Sequence, residues 1–415
     1  MAEQCNIVVV GGSSAGLMAA HNFLKFTLPA LKARGGATYQ VYLINPFPKW
    51  YFRVASPRVA TSTTRMAAEK VVFEISEGFE QYSKDDFTFI VGTATGLNTN
   101  ARTVSYKSSK SIEQLSYHAL IVATGSKTFY PAFSQSAGTE ETFEAIETTN
   151  AKVKSSKDII IVGGGPTAIE FAAEVAEFRN GKPGWFSNAP RKVNITLLTA
   201  TDRLLPQLQP RIGKTAEQKL KNLGVDVVYN TRVTDAKEDG RGRTVVTLAK
   251  GETLEADLYV PAYGVQPNSS WLPENLLDEK NYLKTSDTLR VDVAGPRVYA
   301  VGDIASYSRN NVFDIIQALP VLAVNMKRDL LAYNPMLPLE KPKGKDRVYK
   351  IDTRDSMVMP LGSSGGVGVI MDWELPGWAV WLIKGRDYLL GMSGLPTVNG
   401  GVVKETKWTT DEAVI

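Results

Sequence analysis

The chain has 415 residues, enough for two to four domains of ordinary size and for a substantial buried core. Its 47 Lys and Arg against 43 Asp and Glu leave a balance of +4, which makes no case for a nucleic-acid partner. A single cysteine, Cys5, cannot build a disulfide framework, a CxxC pair or an iron–sulfur cluster, and two distant histidines, His21 and His118, offer no metal-ligand spacing, so no metal is expected.

The opening MAEQCNIVVVGG has no basic region followed by a cleavable apolar stretch. No run approaches the roughly 18 apolar residues of a membrane-spanning helix. Ala2 stands where myristoylation requires Gly, and the ending DEAVI is no prenylation box. The expectation is a soluble cytoplasmic protein, monomer or homodimer, without a transmembrane segment or myristoyl anchor.

Residues 6–10 form a short β-branched run, followed by a Gly-rich turn and an apolar-periodic stretch over 15–24: strand, turn, helix. Residues 40–44 read as the next strand and complete a βαβ unit. Further strands are expected at 87–91, 103–107 and 119–122. A second βαβ unit begins with a strand at 158–162, turns at 163–165, runs through a helix to about 178 and returns at 193–198. The Gly/Pro/Trp-rich stretch 180–190 exceeds a minimal crossover and reads as a surface loop that could border a nucleotide. Short strands fill 225–260, another lies at 297–301, and 319–334 reads as a helix with Pro320 in its first turn, where a missing N–H costs nothing. The Pro/Lys-rich stretch 335–345 looks like a linker to a small, mostly β tail.

The first turn, GGSSAG at 11–16, carries two of the three glycines of a dinucleotide fingerprint. Gly11 permits the tight turn, a small residue at Ser13 lets backbone approach a pyrophosphate, and Gly16 lets helix and strand pack closely; Gly12 and Ala15 complete the cradle at the helix N-terminus. Asn45, at the end of the second strand, replaces the usual ribose-binding acid and can still hydrogen-bond. The second turn, GGGPTA at 163–168, supplies Gly163, Gly165, Pro166, Thr167 and Ala168, followed by Glu170 and Glu174. Thr199 takes its acid position, which leaves NADH and NADPH both open. A packing turn without ligand is the competing reading of either motif.

Three further pieces follow in order: Ala123-Thr124-Gly125 ending a strand, a Gly turn at Gly264 within VPAYGVQPN, and Gly302-Asp303 ending another strand. In this order the chain resembles the two-dinucleotide flavoproteins, whose first fold holds FAD and whose second holds NAD(P)H, with the aspartate matching Asp303 on the ribityl chain. The segments ASPR at 55–58, MPLGSSGGVG at 359–368 and LIKGRD at 382–387 narrow the resemblance to the apoptosis-inducing-factor-homologous, ferroptosis-suppressor-like group. Ser13, Asn45 and Ser363 depart from its pattern. The implied architecture is α/β: two Rossmann-like domains, the FAD domain discontinuous over 1–127 and 280–334, the NAD(P)H domain over 128–279, and a mostly β C-terminal domain over 335–415.

That resemblance implies noncovalent FAD reduced by hydride from NAD(P)H. Arg58 is the expected cation near the isoalloxazine, against a surface arginine as the plain alternative, and the helix beginning near Pro320 is expected to aim its N-terminus at the same ring. Glu170 is expected beside the nicotinamide; Glu174 shares its helical face, so a solvated acidic stripe is the rival explanation. Lys384, with Trp373, Trp378, Trp381 and Tyr388, could wall an acceptor site, though such aromatics more often fill a core. Trp50, Tyr51 and Phe52 carry the same ambiguity, and His118 reads as structural. With one thiol, electrons must leave the flavin directly, toward a quinone-like acceptor, dioxygen or another small molecule. Two readings stay open beside this one: a flavin oxidase or monooxygenase of specialised metabolism, and a flavin-bound redox sensor.

Overall fold

The computed structural model describes residues 3–135, 137–184 and 187–413. Trp185 and Phe186 of the 180–190 stretch, Ala2, and the last two residues of DEAVI lie outside the described residues. Two parallel sheets carry the architecture. In the first, strands run in the order Val298–Ala300, Ala119–Val122, Glu3–Val10, Ala37–Asn45 and Phe87–Val91. Ile7, Val8, Val9 and Val10 are all buried, as expected of a parallel strand covered on both faces. The second sheet runs Val225–Val228, Asn194–Leu198, Asp158–Val162 and Leu258–Pro261, again all parallel. The strand after the second sheet, Val298–Ala300, returns to the first, so the first sheet is assembled from two separate stretches of chain.

Chain crossings between the sheets are pinned together. Ser126–Lys127 pairs antiparallel with Gln266–Pro267. Beside this ribbon Thr124 Oγ1 donates to the Asn268 carbonyl at 2.9 Å, and Asn268 Nδ2 donates to the Thr124 carbonyl at 2.8 Å. The two motifs read from sequence as separate strand ends are thus one reciprocal clasp.

The helix expected over 319–334 is longer and earlier: it spans Val312–Leu331, and Asn311 caps it by accepting a hydrogen bond from the Asp314 N–H at 2.9 Å. Pro320 lies inside it, not at its start. Its missing N–H leaves the Ile316 carbonyl without its helical donor, at a residue that is itself exposed. The capping asparagine, rather than the proline, was the start signal. The first helix also extends further than its apolar period, from Ser14–Asn22 through a π turn at Phe23–Thr27 into Leu28–Arg34.

In the tail the expected β character is confined to three antiparallel strands, Met357–Pro360, Gly366–Ile370 and Trp373–Glu374. After them the chain coils helically, through Gly377–Val380, Trp381–Gly385, Leu390–Gly394 and Leu395–Val398. Gly377 begins the first of these turns, and Gly385 and Gly394 end the second and third. Among the described residues no helix is long and apolar enough to cross a membrane.

Candidate dinucleotide and flavin site

Strand direction decides where the first set of motif residues meets. All of the first sheet is parallel, so Gly11, Asn45, Ala123, Gly302 and Asp303 emerge together at its carboxyl edge, where open α/β sheets bind ligands. Gly11 has φ 113°, and a Cβ there would lie 2.3 Å from the Ala123 carbonyl oxygen. Only glycine satisfies both constraints. The Asn45 side chain accepts from the Gly12 N–H at 2.8 Å and donates to the Phe47 carbonyl at 2.8 Å, so it braces the turn from the acid's position. Ser13 is the exposed N-cap of helix Ser14–Asn22, with its hydroxyl accepting from Trp50 Nε1 at 3.1 Å; Ala15 and Gly16 lie behind it, buried. Ala15 packs against Gly302, where a Cβ would come within 2.7 Å of the Ala15 methyl. Free N–H groups at a helix start, a cradle that side chains would fill and an acid at the edge fit the phosphates and ribityl chain of a dinucleotide.

The second cradle repeats the logic. Gly163 has φ 141°, and a Cβ there would meet the Ala262 carbonyl at 2.4 Å. Gly165 caps helix Pro166–Asn180, whose first turn holds Pro166, Thr167 and Ala168. Thr199 Oγ1 and Thr201 Oγ1 lie 2.8 Å apart beneath the turn, with no carboxylate between them. Gly264, φ 61°, turns the chain just beyond the neighbouring strand Leu258–Pro261.

Glu170, Glu174 and Glu177 share one face of helix Pro166–Asn180, and the structure overturns the solvated-stripe reading: all three are buried. Lys384 Nζ donates to Glu170 Oε1 at 2.5 Å. Arg58 donates from Nε at 3.1 Å and Nη2 at 2.8 Å to Glu174 Oε1, and from Nη1 to the Gly385 carbonyl at 2.7 Å. Arg65 binds both Glu174 and Glu177, the latter at 2.7 Å. Ser363 closes the far end, its N–H and hydroxyl each 2.6 Å from Glu177. Three cations thus meet three anions, as buried charge requires.

Burial pushes the Glu170 carboxyl above its ordinary range, against the pull of Lys384. For Glu177 burial acts the same way, yet the Ser363 donors and Arg65 prevail and hold it below that range. Burial, aided by Glu174 and Glu170, keeps the Tyr388 hydroxyl well above its ordinary value.

Arg58 therefore is not a surface arginine: its guanidinium binds Glu174 and the Gly385 carbonyl. It stacks on Tyr388, 4.5 Å from the ring centre. The core reading of the tail aromatics holds for Tyr388, fully buried, but Trp373, Trp378 and Trp381 are exposed at 80%, 68% and 40%. Trp50, Tyr51 and Phe52 are core. Pro320, eight residues inside its helix, is not at the helix start where the flavin-facing role was expected. The first turn of helix Val312–Leu331 instead holds Asp314, which is paired with Arg309 at 2.6 Å. His118 stacks edge-on against Tyr333 and lies close to Arg102 and Arg297, a structural setting.

Sequence reasoning missed Arg53, Arg65, Ser126 and Glu177. Only Glu177 carried a legible signal, its i+7 spacing from Glu170 on one helical face.

Two parallel sheets, each ending in a glycine cradle, and an interrupted first sheet define a two-dinucleotide flavoprotein oxidoreductase. The pyridine nucleotide-disulphide oxidoreductase model matches residues 5–326, and the chain belongs to that family. It is 40% identical over 398 residues to oxidoreductase phnG of Penicillium herquei, covering 93% of this chain and 94% of the relative. It is 26% identical to ferroptosis suppressor protein 1 of Xenopus laevis over 94% and 95% of the two chains. Among solved structures, the sulfide:quinone oxidoreductase of Aquifex aeolicus superposes with a TM-score of 0.67 at 17% identity, over 96% of this chain and 92% of the other. The protein is an NAD(P)H-dependent oxidoreductase that binds FAD and NAD(P)H. A disulphide relay within one chain needs two cysteines, and this sequence has one.

Proposed function

We propose that electrons drawn from NAD(P)H leave the flavin directly, to a quinone-like or other small-molecule acceptor or to dioxygen. The observation that carries this reading is the cysteine count: the sequence has one, Cys5, in strand Glu3–Val10. A dithiol step inside the chain would need two cysteines. When bound, FAD takes a hydride from the nicotinamide and later yields two electrons. The first cradle, Gly11, Gly12, Ser13, Ala15 and Gly16 with Asn45, Ala123, Thr124, Gly125, Gly302 and Asp303, holds FAD in this reading. The second, Gly163, Gly165, Pro166, Thr167 and Ala168 with Gly264, holds the nicotinamide nucleotide.

Glu170 lies one turn beyond the second cradle, and its unshared oxygen can accept from a carboxamide N–H while Lys384 fixes the other. The pair positions the nucleotide and excludes water by its burial. Arg58 supports it indirectly, by holding Glu174 and the backbone at Gly385 next to Lys384. A quinone is also named as substrate of a protein of the same fold, the sulfide:quinone oxidoreductase of Aquifex aeolicus.

Anaerobic mixing with NADH or NADPH while the flavin absorbance is followed, and then admission of a soluble quinone or oxygen, tests the proposal. Bleaching by the nucleotide and recovery on adding the quinone is expected. Bleaching only by an organic substrate would overturn it in favour of an oxidase.

A further inference from the structure

Asp303 is already engaged from one side. Its Oδ2 accepts from Ser126 Oγ at 2.8 Å and from Arg53 Nη2 at 3.0 Å. Arg53 Nη1 also donates to the Ser126 carbonyl at 2.9 Å, so a single guanidinium ties the segment after the second strand to the interdomain ribbon and to the Gly-Asp turn. The other carboxylate oxygen, Oδ1, takes no hydrogen bond from the described residues. The pair is mostly buried, with side-chain exposures of 34% for Arg53 and 12% for Asp303. Arg58, five residues on, binds Glu174 and the Gly385 carbonyl and not Asp303.

We propose that Arg53 is the positioning residue of the flavin site, an inference that rests on the assignment of the first cradle to FAD. By occupying Oδ2 it turns Oδ1 toward the ribityl hydroxyls, which can donate to it. Its charge also offsets that of Asp303. Reduction adds negative charge to the cofactor, and an unpaired carboxylate beside it would oppose that gain. Arg53 therefore favours the reduced form through Asp303 without touching the reacting atoms.

The test measures FAD dissociation and the flavin midpoint potential in the wild-type holoenzyme and in Arg53→Gln, Arg53→Lys and Arg53→Gln/Asp303→Asn. Arg53→Gln is expected to weaken FAD binding at least tenfold and to make the potential more negative. A tenfold greater loss for the reduced than for the oxidised form corresponds to about 30 mV in a two-electron couple. Arg53→Lys keeps the charge but not the fork, so its potential should stay near wild type while its affinity falls between the two. The double variant should recover the potential and not the affinity.

A folded but colourless Arg53→Gln, with the melting temperature of wild-type apoprotein, counts as the expected loss of binding; the potentials are then read from the other two variants. Wild-type affinity and potential in Arg53→Gln would overturn the proposal, as would Arg53→Lys falling as far as Arg53→Gln in both. A wild-type protein that takes up no FAD would sink the flavin assignment itself, and this inference with it.

Discussion

Lys384 Nζ stands 2.5 Å from Glu170 Oε1, joining the helical tail to helix Pro166–Asn180 of the second nucleotide fold, 214 residues away in sequence. Both side chains are almost wholly removed from water. The pair joins the C-terminal segment to a residue expected beside the nicotinamide. Glu170→Gln keeps the shape and removes the charge; we expect hydride uptake from NAD(P)H, followed by stopped-flow bleaching, to slow by about tenfold or more. Lys384→Met should do the same and add a pH dependence. Burial already raises the Glu170 carboxyl, and without the ammonium it rises further, so the rate should recover as the pH increases. Equal rates in all three proteins would leave the pair a structural tie only.

Glu174 is fully buried, and two arginines neutralise it. Arg58→Ala removes one of them and leaves the carboxylate with Arg65 and Tyr388. Loss of one partner from a buried pair costs about 3–5 kcal/mol, and urea unfolding should show a decrease of that order. Arg58→Lys should regain only part of it, because a lysine cannot reproduce the fork that grips Glu174 and the Gly385 carbonyl.

Thr199 follows strand Asn194–Leu198 at the position read from sequence as that of the ribose-binding acid, which would favour NADH and repel a 2′-phosphate; its hydroxyl lies 2.8 Å from that of Thr201. Thr199→Asp should lower the ratio of kcat/KM for NADPH to that for NADH by about tenfold, equivalent to about 1.4 kcal/mol. An unchanged ratio in steady-state assays would show that the discriminating contact lies elsewhere.

His21 links the first helix to the tail. The Val398 carbonyl can only accept, so Nε2 carries the proton and donates at 2.6 Å, while Nδ1 accepts from the Tyr82 hydroxyl at 2.8 Å. Burial, with Lys25 assisting and the Val398 bond opposing, lowers the imidazole to about 4. Between pH 4 and 6.5 the unfolded chain therefore binds more protons than the folded one, and stability falls as the pH drops through this window. At about 1.4 kcal/mol per unit, this histidine accounts for about 2 kcal/mol between pH 6.5 and 5. The urea midpoints of wild type should diverge accordingly between pH 7 and 5, and His21→Gln should flatten the slope. His118, lowered to about 3, contributes in the same direction.

The two glycine turns and the strands that feed them were legible without coordinates. Residues 158–162, 87–91, 103–107 and 119–122 formed strands at the expected bounds, because β-branched runs ending in Gly or polar turns are decided by local sterics. Motif order then identified the class. Local signals misled at Pro320: a proline looks like a helix start, but the capping Asn311 lay eight residues before the expected first residue and packing carried the helix through the proline. The same limit applies to the exposed tryptophans of the tail, where spacing alone could not show which face would be covered.

Chain order determined which cofactors are bound, since a dinucleotide turn needs only a strand, a few glycines and a helix in succession. It also excluded a dithiol, by arithmetic on one residue type. Only the tertiary structure decided what each charged residue does. Arg53 and Arg58 are five residues apart, yet one holds Asp303 and the other Glu174, 129 residues apart from each other in the chain. Periodicity along a helix says that Glu170, Glu174 and Glu177 share a face. Whether that face meets water or three cations depends on segments that arrive from residues 58–65 and 363–388, and burying charge is permitted only where those partners arrive.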